Sequence, residues 1–206
     1  MSYVRIGIDF DNTIICYDRV FAAAARQRGL VPNGWTGLKT DVRDYLRTRP
    51  GGELAWQCLQ GWVYGKGIGS AEIYPGVQDF FGACRQAGSD VYIVSHKTRF
   101  GHQDPDRVDL RAAARDWLRA AGLIGGENPA LGIDDVYFED TQAAKVERLA
   151  RLNLDVFVDD LADVFEQPHF PHDVRSILFD TSGNARPGPY KPIASWDEIR
   201  REVFAQ

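Results

Sequence analysis

Cysteine is scarce in this 206-residue chain. Cys16, Cys58 and Cys84 are odd in number and widely spaced, and they match neither a disulfide framework nor a zinc site. A reduced, cytoplasmic setting is therefore expected. Long apolar runs are missing too: none approaches the ~18 residues that span a bilayer, so no membrane association is expected. Positive charge is in deficit, with 24 Lys and Arg against 29 Asp and Glu and a net charge of −5. That balance speaks against a general nucleic-acid binder. There is no internal repeat, no low-complexity tail and no secretory pattern at the start, where Tyr3-Val4-Arg5-Ile6 runs straight into strand-like alternation. What the chain does contain excludes disorder, since 44% of residues are hydrophobic and 12% aromatic. The length suits one sizeable domain, or one domain carrying a small insert.

Glutamate is also sparse, at 8 residues against 21 aspartates. Aspartate favours turns, caps and metal sites, whereas glutamate favours helix surfaces. Most of the aspartates are accounted for by turns and caps, but a few occupy more telling places.

Val4 to Phe10 alternates and is β-branched, which predicts a strand. Helical patterns follow over 17–28, 38–48 and 52–64, broken by LVPNGWTG and by Arg49-Pro50-Gly51-Gly52, and a glycine-rich connector covers 65–71. Pro75 opens a helix that Gly88 closes. Short apolar runs at 90–95, 135–138, 154–158 and 176–179 then alternate with helices near 110–121, 141–152 and from 195. Such alternation implies crossovers and a parallel sheet covered by helices on both faces. The stretch 14–74 breaks the pattern, being helical with no convincing strand. It reads as an all-helical insert, or cap, after the first strand of an α/β, Rossmann-like core formed by 1–13 and 75–206. Residues 14–73 hold eight Lys/Arg and five Asp/Glu, a net charge of +3.

Three expected strands end in polar residues: Asp9-Phe10-Asp11-Asn12-Thr13, Ser95-His96-Lys97, and Asp159-Asp160 with Asp163 behind. In an open parallel sheet those ends share one edge, where ligands bind. Any one of them is explained by the turn that must follow a strand. A D-x-D pair arises by chance about twice in such a chain, and D-x-D-x-T about 0.1 times. The combination is what stands out. Lys145, about one turn into the helix capped by Thr141, sits at the unfavourable end of the helix dipole. A solvated surface lysine would account for it, but a counter-charge to the carboxylates accounts for it better.

These residues resemble the four motifs of the haloacid dehalogenase superfamily of phosphohydrolases, in order and spacing along essentially the whole chain. Asp9-x-Asp11-x-Thr13 after a hydrophobic strand is the first motif, Ser95 the second, Lys145 the third, and Asp159-Asp160 with Asp163 the fourth. The insert after the first motif resembles the superfamily's C1-type helical cap. The resemblance implies a Mg²⁺-dependent phosphomonoester hydrolase for a small soluble metabolite, with a phosphosugar as one substrate class. Asp9 would be the nucleophile that forms an aspartyl-phosphate, and Asp11 the acid and then base. Mg²⁺ would be held by Asp9, Asp159, the Asp11 main-chain carbonyl and Asp160, directly or through water. Ser95 and Lys145 would hold the phosphoryl group, with Asn12, through its backbone N–H, Thr13, His96 and Lys97 also lining the phosphate and substrate site. Asp163 reads either as a residue supporting the metal site from behind, the preferred reading, or as a helix-cap residue. Asp11 separates activities, because dehalogenases of the superfamily do not use a general-acid Asp two residues after the nucleophile. A phosphomutase, or a non-catalytic binding protein on the same fold, remains open, as does a monomer or a homodimer.

The cap is expected to close over the crevice. Lys39, Arg43 and Arg47 share one helix face and suit either a solvated face or contact with an anion. Trp56, Trp62 and Tyr64 are expected to form cap core.

Overall fold

The computed structural model describes residues 3–125, 131 and 135–204. Met1 and Ser2, the start of the expected core, lie outside them. The strands are β1 (Arg5–Ile8), β2 (Ile15–Cys16), β3 (Glu72–Ile73), β4 (Asp90–His96), β5 (Val136–Glu139), β6 (Val156–Asp159), β7 (Arg175–Phe179) and β8 (Lys191–Ile193). The helices are α1 (Asp18–Gln27), α2 (Lys39–Arg47), α3 (Gly52–Tyr64), α4 (Val77–Ala87), α5 (Leu110–Ala120), α6 (Gln142–Leu152), α7 (Ala162–Phe165) and α8 (Trp196–Phe204). Six strands form one sheet in the order β5-β4-β1-β6-β7-β8, and every pairing is parallel. The expected parallel α/β fold is therefore present. No helix among the described residues is long and apolar enough to cross a membrane.

The chain divides into two compact units. The first comprises Met1–Ile15, Ile73–Lys97 and Leu118–Gln206 and contains the six-stranded sheet. Its strands read as apolar runs because both faces are covered. On β7, Leu178 packs with Val146 and Leu149 of α6 and with Phe157, while its neighbour Phe179 meets the Trp196 ring of α8. Trp196 in turn lies edge-on to Phe80 of α4. Gly7 at the centre of β1 is required by close approach, since a Cβ there would lie 2.5 Å from Leu154 Cδ1 and 2.8 Å from the Phe157 ring.

The second unit comprises Cys16–Glu72 and Thr98–Trp117, so the polar stretch after β4, which the sequence pattern assigns to the α/β part, groups with the helical residues. Its apolar centre is aromatic: Phe21 stacks on Trp56 and meets Tyr64, and Tyr17 packs on both Phe21 and Tyr64. Trp56 and Tyr64 thus serve as core, as expected, and Trp62 carries the Arg28 guanidinium on its face. The three basic residues of α2 do not act together. Arg43 pairs with Asp44, Arg47 with Glu53, and Lys39 lies near the Phe21 and Tyr64 rings.

The sequence pattern misses β2, β3, β8 and α7. Two-residue strands carry no alternation to detect, yet β2 and β3 pair, within a stretch expected to hold no strand. β8 contains Pro192, which lowers strand preference but is tolerated at a sheet edge, where one side needs no N–H donor.

Candidate active site

The sheet order places the chemistry. From β1 the chain builds outward through β4 and β5 on one side and through β6, β7 and β8 on the other. Such a reversal opens a crevice at the carboxyl ends of the central strands. Ile8 is in register with Val158 on β6 and with Ile93 on β4. The next residues, Asp9 and Asp159, are therefore side by side, and the Asp9 N–H extends the ladder to the Val158 carbonyl at 2.8 Å. Both carboxylates are buried.

Lys145 answers them. Thr141 caps α6, its Oγ1 accepting from the Ala144 N–H at 3.0 Å, and one turn later Lys145 is fully buried. Its Nζ lies 2.6 Å from Asp9 Oδ1 and 2.6 Å from Asp159 Oδ2. Burial pulls this ammonium down, but the Asp159 and Asp9 carboxylates outweigh it and hold the lysine above its ordinary value, firmly charged. The Asp159 carboxyl responds differently. Burial pushes it up, Lys145 pulls it down and Asp9 pushes it up again, leaving it raised to about 6.

The sign of the resulting pH dependence is fixed. A folded-state value above the ordinary 3.8 favours the protonated form in the fold. The associated stability is complete below the ordinary value and is lost as pH rises through about 6. In chelator, wild-type stability relative to Asp159→Asn is expected to fall between pH 4 and 6 by on the order of 3 kcal/mol. Urea melts of both proteins across that range check it; a flat or rising difference would contradict it.

Carboxylate oxygens of Asp9, Asp159 and Asp160 lie within 4.8 Å of one another and form the metal-competent grouping among the described residues. Three carboxylate oxygens so grouped suit a hard divalent cation such as Mg²⁺. The Asp11 carboxylate stands apart from the grouping and is paired with Lys97 at 2.8 Å.

The remaining expected site residues sort as follows. Phe10 to Ile15 is a tight loop in which the Ile14 and Ile15 N–H groups both donate to the Phe10 carbonyl. Asn12 takes φ 58°, in the left-handed region that asparagine tolerates. Its N–H, expected to serve a phosphate oxygen, donates to the Ile15 carbonyl at 2.9 Å, because the loop closes on itself. Thr13 is fully buried, its carbonyl accepts from the Trp196 indole N–H at 2.9 Å, and its Oγ1 has no hydrogen-bond partner among the described residues. Ser95 is buried at the end of β4, in register with Phe138. His96 is exposed, and its Nε2–H reaches the Asp140 carbonyl at 3.0 Å. Asp163 does not support the metal grouping as expected. It is exposed on α7 and pairs with Arg186 at 2.7 Å, since a four-residue helix turns it outward. Sequence reasoning also misses how Lys97 is used. The available signal is its place two residues beyond Ser95, at the same strand end as the other polar residues.

The fold is that of the haloacid dehalogenase superfamily. No family model and no curated protein matches the sequence, but solved structures match over the whole chain. A haloacid dehalogenase-like hydrolase from Streptococcus pneumoniae shares 13% identity over 98% of each chain with a TM-score of 0.63. A magnesium-bound HAD-hydrolase from Bacillus subtilis shares 12% identity over 100% of each chain, with a TM-score of 0.60. An L-2-haloacid dehalogenase shares 14% over 100% of each chain, with a TM-score of 0.59. Predicted phosphatases are among the other matches. The similar structures are thus hydrolases of two chemistries.

Proposed function

We propose that the protein is a Mg²⁺-dependent phosphomonoester hydrolase for a small phosphorylated metabolite, working through an aspartyl-phosphate on Asp9. The observation that carries this reading is the unequal treatment of two aspartates on one loop. Asp9 is buried against Lys145 beside Asp159, while Asp11 is held separately by Lys97. A nucleophile and a distinct proton-handling carboxyl are what phosphomonoester hydrolysis needs, and the second has no use in C–halogen cleavage as the resembled dehalogenases perform it.

Asp9 attacks phosphorus as the bond to the leaving oxygen breaks, and Asp11 supplies the proton that oxygen needs. Asp11 then takes a proton from the water that releases phosphate from Asp9. Lys145 stays charged throughout and offsets negative charge gathered at Asp9. Ser95, buried at the adjacent strand end, is assigned to the phosphoryl oxygens. Asp9, Asp159 and Asp160, with the Asp11 main-chain carbonyl, would hold Mg²⁺, which relieves the repulsion between a carboxylate and a phosphate dianion.

The test is phosphate release across phosphorylated sugars, nucleotides and small acids, with Mg²⁺ and with chelator. Phosphosugars are the class to try first. Release that needs Mg²⁺ is expected from at least one class. Isomer interconversion with little phosphate released would identify a mutase, and no turnover of any compound by folded protein would contradict an enzyme.

A further inference from the structure

We infer that Lys97 is a positioning residue that sets the direction in which Asp11 presents its carboxyl to the leaving-group oxygen, an inference resting on the phosphatase reading above. Lys97 follows β4 by one residue, and its main chain is not loose. Its N–H donates to the Glu139 carbonyl at 2.9 Å and continues the β4–β5 ladder. Its side chain is only 2% exposed, and Nζ lies 3.0 Å from Asp11 Oδ1 and 2.8 Å from Asp11 Oδ2. The ammonium thus grips both oxygens. Beneath it lies the Phe10 ring, 5.5 Å from Nζ, itself set edge-on against Phe138.

Two physical points favour a positioning role over a structural one. A buried lysine gives up its hydration, and an apolar side chain of similar length would fill the space without that cost. Asp11 also sits in a tight loop beside a left-handed residue, and a contact to both of its carboxylate oxygens restricts the rotamers its side chain can take. The two lysines therefore divide the work: Lys145 serves Asp9 and Asp159, and Lys97 serves Asp11. Lys97 neither gives nor takes a proton. Asp11 enters as the carboxylic acid and gives its proton to the leaving oxygen as that P–O bond breaks and the Asp9 oxygen bonds to phosphorus. It thereby becomes the carboxylate that Lys97 holds. The oxygen of water then bonds to phosphorus as the bond from Asp9 breaks, and the proton of that water returns Asp11 to the acid.

The test compares wild type, K97M, K97Q, Asp11→Asn and the double variant Asp11→Asn/K97M. Substrates are p-nitrophenyl phosphate, whose leaving phenolate needs no proton, and an alkyl phosphomonoester that wild type hydrolyses. With K97M, turnover of the alkyl ester is expected to fall about 100-fold at nearly constant KM, because proton transfer is what is lost. On the aryl ester, a burst of p-nitrophenolate equal to the enzyme is expected within about tenfold of the wild-type rate, followed by turnover about 100-fold slower. K97Q, which keeps a donor, falls between, and it carries the same comparison if K97M does not fold. The double variant should be no slower than Asp11→Asn alone, because residues acting as a unit are not additive. A raised KM at unchanged kcat, or a double variant at least about tenfold slower than Asp11→Asn, overturns the inference. A wild type inert towards every ester instead overturns the phosphatase reading, and the inference with it.

Discussion

Asp9→Asn is expected to lower Mg²⁺-dependent phosphate release by about 10⁴-fold or more while leaving the protein folded. The amide is nearly the same size as the carboxylate but is no nucleophile towards phosphorus. The fold has little reason to fail. Lys145 keeps its 2.6 Å contact with Asp159, and an amide oxygen at the Asp9 position still accepts from it. Replacing one of two buried carboxylates also eases their mutual repulsion, so the melting temperature should shift by a few degrees at most. Phosphate assays with thermal melts on the purified variant check both parts. A variant that keeps turnover removes Asp9 from the reaction; one that loses activity only by unfolding makes Asp9 a fold residue.

Lys145→Met is expected to lose both activity and stability, which separates it from Asp9→Asn. Removing the ammonium leaves Asp9 and Asp159 buried side by side without their shared cation. Breaking a buried pair by deleting one partner typically costs about 3–5 kcal/mol. Activity should fall at least about 10³-fold, because fixed charge at the reacting centre is lost. Denaturant melts with and without Mg²⁺ give the finer outcome. A divalent cation at the aspartates restores part of the stability but none of the activity. A cost below about 1 kcal/mol would be that of an exposed ion pair and would contradict the burial described for Lys145.

Both variants act on residues whose importance is legible in the amino-acid sequence. The long apolar runs mark the central strands because strands buried on both faces need no polar alternation. Helix starts and stops at Thr141, Pro75 and Gly88 are readable because capping and left-handed closure restrict residue type locally. Lys145 is readable for an opposite reason: a lysine one turn into a helix is unfavourable on its own and so points to a partner.

Other parts are not legible because they depend on neighbours far away in the chain. Strand ends Asp9 and Asp159 are 150 residues apart in numbering, and only the Ile8–Val158 register makes them adjacent. The strands at 15–16 and 72–73 are two residues each, too short for any period, and exist only as a pair. Residues 98–117 read as a loop and a helix following β4, and their grouping with Cys16–Glu72 is a matter of packing.

By itself the sequence determined which side chains end the central strands and which lysine must answer them, since periodicity, caps and charge placement are written over a few residues. Tertiary structure alone decided their partners. It set Lys97 on Asp11, committed the Asn12 N–H to Ile15 and turned Asp163 outward to Arg186. Each of those outcomes rests on loop closure and strand register, which bring together atoms whose separation along the chain carries no local signal.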